Sequence, residues 1–184
     1  MMAQSRGRRF DPALILGVAA RCVFDLPSVI TCRPLRRGEP FPPTFWLTCP
    51  HLVKLCGSLE SEGAVGELNM MAQRDQSGWS AYNLLHAQIR ISLTEPPAAK
   101  FLRKFRRSQW DVLRKGGVGG IDYRASLKGG AKCLHLQTAS WLALGFHPAA
   151  ACLEDSLSPL YCKIPPEECL KNTPRIKEAL HVEG

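Results

Sequence analysis

The order of strand-like and helical segments is the feature that most constrains the fold of this chain. Residues 13–24 and 28–32 are apolar with strand propensity, and residues 25–27 carry the Asp and Pro of a turn, so they predict a β-hairpin. A proline-rich loop over 33–43 leads to a third short strand at 44–48. Helical periodicity follows. A small antiparallel sheet followed by helices predicts an α+β fold.

Helical segments fill most of the chain after this sheet. Their predicted bounds are about 50–62, 64–74, 78–92, 97–115 and 131–144. Pro50 suits a first helical turn, whereas Gly63 and Gly145 suit helix ends. We therefore expect a hairpin plus one strand to pack with about five helices.

The length of 184 residues fits one domain with short appended segments. We assign residues 1–12 to a basic N-terminal extension and 13–150 to a single α+β domain. Residues 151–184 form a C-terminal tail that contains cysteine and proline, in which we expect irregular structure and one short helix.

The N-terminus decides the compartment that we predict. Residues 13–20 are apolar, but the run has only eight residues, Asp11 and Pro12 interrupt the approach to it, and Arg21 follows it. This pattern does not match a signal peptide, and no stretch reaches the length of a membrane span. We therefore predict a cytoplasmic protein, where thiols stay reduced and clustered cysteines more often bind metal or act chemically.

The charge indicates a second kind of partner. The formal net charge of +8 favours anions such as nucleic acid without selecting one of them. Cations concentrate in the predicted helix over 100–115, with Phe101, Phe105 and Trp110 among them. The predicted polyanion-binding residues are Arg103, Lys104, Arg106 and Arg107. The alternative is an amphipathic helix whose charges are only solvated.

Four Cys and His residues have local settings that suit metal ligands. Cys22 ends a strand, Cys49 joins a strand to a helix, and Cys133 and His135 begin another helix. A Cys-x-His pair can converge at a first helical turn, where the backbone still bends in from a loop. Three thiolates and one imidazole complete a tetrahedral zinc site. Plain buried thiols are the alternative, and Cys56, on an apolar helical stripe, is predicted to be one.

Cys49 also suits thiol catalysis. The positive end of a helix dipole lowers the pKa of a thiol, and His135 or His86 can serve as general base. No third, orienting residue is identifiable from the sequence. The chain can therefore be an enzyme with Cys49 as nucleophile or not an enzyme at all.

Three cysteines of the tail remain without an assignment. Cys152, Cys162 and Cys169 can donate to a second metal site, to an iron–sulfur cluster, or to neither. Their spacing matches no established cluster pattern.

Several motifs resemble one known family. They are ARC at 20–22, LP at 26–27, FWLTCP at 45–50, LESEG at 59–63 and KCLH at 132–135. Together they resemble the bacterial family called domain of unknown function 501, over about residues 14–148. The resemblance implies no activity. It implies that residues 13–20 belong to the domain, and it singles out Cys22, Cys49, Cys133, His135 and the accessory His86.

The prediction is therefore a cytoplasmic protein that binds zinc or another thiophilic metal through Cys22, Cys49, Cys133 and His135. The role expected for the metal is structural or regulatory. A nucleic-acid-binding module and a thiol-dependent enzyme are the alternatives.

Overall fold

The predicted sheet is present at the start of the chain, and the computed structural model describes residues 11–122, 130–166 and 169. The strands are β1 (Ile15–Arg21), β2 (Pro27–Cys32), β3 (Leu35–Arg36), β4 (Glu39–Pro40) and β5 (Phe45–Leu47). β1, β2 and β5 form an antiparallel sheet in that order, in which Val29 pairs with Leu47. The small sheet of hairpin plus one strand is therefore confirmed.

β3 and β4 form a separate two-stranded ribbon inside the segment predicted as a loop. Arg37 and Gly38 connect them with φ values of 52° and 82°. Two successive positive φ values allow the tightest hairpin turn, and glycine reaches that region without strain.

Seven α-helices follow within the described residues. They are α1 (Pro50–Ser61), α2 (Ala64–Arg74), α3 (Gln76–Ser92), α4 (Pro96–Phe105), α5 (Arg107–Lys115), α6 (Leu134–Leu144) and α7 (Ala150–Ser156). The α+β class is confirmed. The count exceeds the expected five helices and one short helix of the tail because the helix predicted over 97–115 forms two.

The predicted helix over 97–115 is wrong as one element. Arg106 has φ −137° and ψ 58°, which ends α4 and begins α5. The break lets Leu102, Trp110 and Leu113 pack into one small core. Burial of these side chains outweighs the loss of helical hydrogen bonds at a position without proline or glycine.

The main core lies between the three-stranded sheet, α1 and α6, and it includes Leu47, Leu52 and Leu134. Leu153 and Leu157 of the α7 region are also fully buried in it. Packing therefore extends past residue 150, where we placed the domain boundary.

Arg90 is a buried cation held by carbonyl oxygens. Its side chain, 1% exposed, donates to the carbonyls of Pro42 at 2.6 Å, Gly117 at 2.8 Å and Gly116. Burial lowers its pKa to about 10, so it remains charged at neutral pH. Arg90 thereby joins α3 to the loop before β5 and to the segment that follows α5.

None of the helices in residues 11–122, 130–166 and 169 has the length and apolar character needed to cross a membrane.

Candidate metal centre

Glu60, Cys133 and His135 bring three ligand types to one point. One potential ligand atom from each of them lies within 4.8 Å of the other two. His135 Nδ1 is 3.0 Å from Glu60 Oε1 and 3.6 Å from Cys133 Sγ. Sulfur, nitrogen and carboxylate oxygen are the three donor types that zinc binds in proteins.

The local backbone explains how Cys133 and His135 converge. Cys133 precedes α6 with φ −162° and ψ 129°, so it is extended, whereas His135 already lies in the first turn. Two residues that would point to different faces of a continuous helix can therefore meet, as the sequence predicted.

Glu60 comes from the last turn of α1 and reaches the start of α6. Its Oε1 accepts the backbone N–H of Leu134 at 2.6 Å, which satisfies one of the free amides of that helix terminus. The carboxylate therefore fixes α1 against α6 and lies beside the positive end of the α6 dipole.

A second contact fixes the ring of His135. Its Nε2 lies 3.1 Å from the carbonyl oxygen of Val53, which can only accept, so Nε2 carries a hydrogen. Nδ1 is then the nitrogen that faces Cys133 and Glu60; while no metal is bound it donates to the Glu60 carboxylate, and a metal would take the place of that hydrogen. A carbonyl behind the distal nitrogen is the usual way in which proteins orient a metal-binding histidine.

The electrostatics of the three residues favour a bound cation. Burial raises the pKa of Glu60, but hydrogen bonds from His135 and Cys133 outweigh burial and hold it below its ordinary value. Burial, reinforced by the nearby Glu60, raises the pKa of Cys133 to about 11. The carboxylate therefore brings negative charge to a half-buried place where a cation is favoured.

Cys22 and Cys49 lie at a different place. They line a pocket together with Cys162 and Cys169 of the tail. In the described part of the chain, the four predicted ligands are therefore divided between two places. Cys133 and His135 lie beside Glu60, whereas Cys22 and Cys49 line a pocket with the tail cysteines.

The expected activation of Cys49 is not found. Burial raises the pKa of its thiol, and this outweighs the backbone amides of His51 and Leu52, which lower it. Cys49 is only 9% exposed. Without a cation its thiol is protonated at neutral pH, which does not suit a nucleophile.

His86 is a core histidine that belongs to neither place. Its Nε2 forms a hydrogen bond with the Ser140 hydroxyl at 2.5 Å, and its ring packs edge-on against Tyr82. Burial, followed by the nearby charges of Arg90 and His147, lowers its pKa to about 3. The polar side chain of His86 is thus accommodated inside the core by a partner within the fold.

Cys32, Cys56 and Cys152 belong to neither of these two groups. Cys32 and Cys56 are fully buried, and burial raises the pKa of each to about 12. Cys56 contacts the Thr138 hydroxyl at 3.4 Å, so the prediction of a core thiol is confirmed. Cys152 is half-buried, with Ser156 Oγ 4.0 Å from its sulfur.

The four predicted polyanion-binding residues, Arg103, Lys104, Arg106 and Arg107, are all exposed around the break between α4 and α5. The Arg103 guanidinium lies 4.5 Å from the centre of the Trp110 ring, and the Lys104 ammonium lies 5.1 Å from that of Phe105. Cations and aromatic rings therefore share this surface.

Comparison with known families agrees with the motifs. The family described as a protein of unknown function (DUF501) matches residues 18–155. The chain belongs to this family. No curated protein and no solved structure matches this DUF501 protein. The matched range holds Glu60, Cys133 and His135, but it ends before Cys162 and Cys169.

Sequence reasoning missed Glu60 as a ligand of the centre. The sequence feature that could have indicated Glu60 is its position in the LESEG motif, one helical turn after Cys56 on α1. The 16 acidic residues of this DUF501 protein gave no reason to choose it before α6 was known to pack against α1.

Proposed function

We propose that this protein binds a thiophilic divalent cation, zinc foremost, through Glu60, Cys133 and His135. The observation that carries the proposal is the convergence of their sulfur, nitrogen and oxygen atoms within 4.8 Å. Three protein ligands leave the fourth tetrahedral position to water or to a further ligand. None of the eight cysteines forms a disulfide, which fits the cytoplasmic location predicted from the sequence.

The role that we propose for the ion is structural or regulatory. Glu60 lies at the end of α1, and Cys133 and His135 lie at the start of α6, far apart in sequence. An ion at this point would hold the two helices together and close a long loop, so part of its binding free energy would stabilise the fold.

Elemental analysis of the full chain, purified without a metal-affinity tag, tests the site. We expect Cys133→Ser and His135→Asn each to lose about one equivalent of zinc per chain relative to wild type. Cys152→Ser is the matched control, because Cys152 is a half-buried cysteine outside the site, and it should keep the wild-type content. Unchanged zinc in both ligand variants, or zinc-free wild type after growth with zinc, would contradict the proposal.

A second candidate function is binding of single-stranded nucleic acid by α4 and α5. Phe101 and Phe105 are 52% and 61% exposed, and their ring centres lie 5.3 Å apart. Large exposed rings beside cations are the surface on which bases stack while phosphates are neutralised. This pair of exposed rings favours a ligand over a merely solvated basic helix.

A further inference from the structure

Half of the cysteines in this protein line one pocket. Cys22 opens the turn between β1 and β2, Cys49 precedes α1, and Cys162 and Cys169 come from the segment after α7. Three stretches distant in sequence therefore supply them. None of the four forms a disulfide.

The rest of the pocket is mainly apolar or aromatic, with residues such as Phe24 and Leu26, and none of its described lining residues is lysine, arginine or a carboxylate. Among the described lining residues only His51 could offset negative charge on several thiolates, and its Nε2 already lies 2.9 Å from the Pro159 carbonyl oxygen. The thiols are close enough that Cys22 and Cys162 add to the effect of burial in raising the pKa of Cys49. A bound cation would supply the missing charge.

Ordinary burial does not explain the grouping. Cys32 and Cys56 show what a core thiol looks like in this fold, since both are fully buried. Cys22, Cys162 and Cys169 are instead only half-buried, and together with Cys49 they line a pocket that is partly open to solvent.

From this arrangement we propose a second metal centre, formed by the thiolates of Cys22, Cys49, Cys162 and Cys169, for a thiophilic metal. It shares no ligand with the site at Glu60. Tetrahedral zinc needs sulfurs about 3.8 Å apart, given Zn–S bonds of about 2.3 Å. Among the described residues no three of these thiols have sulfurs mutually within 4.8 Å, so zinc requires them to rotate inward. An iron–sulfur cluster has the same thiolate chemistry with wider spacing.

The centre extends beyond the family match. Cys22 and Cys49 lie within residues 18–155, whereas Cys162 and Cys169 lie outside them. The C-terminal segment would therefore be held to the domain by the metal, next to the contact between His51 Nε2 and the Pro159 carbonyl at 2.9 Å.

Metal content of the full chain tests this proposal separately from the first site. The protein is purified both aerobically and anaerobically, and zinc, iron and acid-labile sulfide are measured. The double variant Cys162→Ser/Cys169→Ser should lose one zinc equivalent, or all cluster iron and sulfide, and keep the zinc that His135→Asn removes. Cys152→Ser, also near the C-terminus, should lose nothing. An unchanged metal content in the double variant, or wild type with neither metal beyond the first site, overturns the proposal.

Alkylation of the wild-type protein gives an answer even if that variant fails to fold. Peptide mapping should show the half-buried Cys22, Cys162 and Cys169 protected until a chelator is added, and labelled afterwards. The buried thiols of Cys32, Cys49 and Cys56 should remain unlabelled until the protein is unfolded. Equal labelling of the three half-buried thiols with and without chelator overturns the proposal.

Discussion

At the scale of single residues, Glu60 has two roles that a substitution can separate. Its carboxylate accepts the Leu134 amide and also faces His135 and Cys133. The first role stabilises the start of α6 whether or not a metal is present, whereas the second requires the negative charge of a ligand. Glutamine retains a carbonyl acceptor but lacks that charge.

We therefore predict different effects for Glu60→Gln and Glu60→Ala. Both should reduce zinc binding at the first site. In metal-free protein, Glu60→Ala should lower the free energy of unfolding by about 1 kcal/mol, because a buried amide loses its partner, and Glu60→Gln should cost clearly less. Urea unfolding with chelator and zinc titration of each variant measure the two effects. Wild-type zinc affinity in Glu60→Gln would show that Glu60 only caps α6.

At the scale of elements, the break at Arg106 determines what α4 and α5 present to solvent. Leu102 faces inward to Trp110 and Leu113, whereas Phe101 and Phe105, one helical turn apart, are exposed on the flank of α4. Arg114 and Lys115 of α5 both lie 2.7 Å from Asp111, whose single carboxylate offsets part of their combined charge. Positive charge that such a pair does not offset is therefore concentrated nearer the break.

A labelled single-stranded oligonucleotide should bind this surface, with affinity that falls as salt rises. Phe101→Ala/Phe105→Ala should weaken binding at least 5-fold, since stacking contributes about 1–3 kcal/mol per base. The triple variant Lys104→Gln/Arg106→Gln/Arg107→Gln should weaken binding, and its affinity should depend less on salt concentration than that of wild type. Arg114→Gln is the control and should change little. Fluorescence anisotropy measures this, and equal affinity in the phenylalanine variant and wild type would rule the surface out.

The sequence allowed prediction of those elements whose limits depend on local chemistry. Pro50 begins α1, and Gly63 and Gly145, with φ of 102° and 75°, end α1 and α6, so these bounds were predictable. The break at Arg106 was not, because arginine has no local preference for it and only tertiary packing of Trp110 requires it. For the same reason the convergence of Cys133 with His135 was predictable, whereas Glu60 and the tail cysteines depend on contacts distant in sequence.

At the scale of the whole molecule, two neutral histidines are built into the core. Burial lowers the pKa of His86 to about 3 and that of His147 to about 4. His147 Nε2 contacts the Gln137 side chain at 2.8 Å, and His86 contacts Ser140, so both bind α6. Their ordinary pKa is about 6.5 in the unfolded chain.

Acid should therefore destabilise the protein in a defined range. Folding lowers the pKa of both histidines, so their contribution to the free energy of unfolding is complete above about pH 6.5. It is lost as the pH falls from there towards the folded pKa of His147, about 4, and of His86, about 3. Each histidine should cost up to about 2 kcal/mol at pH 5, because the unfolded chain binds the proton and the folded chain does not. Urea unfolding of metal-free protein from pH 7.5 to 5 measures this. His86→Gln and His147→Gln should each make the free energy of unfolding less dependent on pH than in wild type. A wild-type pH dependence in both variants would refute this explanation.

The buried Arg90, unlike these histidines, does not respond to acid. Its partners are carbonyl oxygens of Pro42, Gly116 and Gly117, which have no proton to gain in this range, and Arg90 itself stays charged below its pKa of about 10. The hydrogen bonds from Arg90 to these carbonyls are therefore the same at pH 4 as at pH 7. Acid unfolding should begin where α6 meets α3, and the corner around Arg90 should open last.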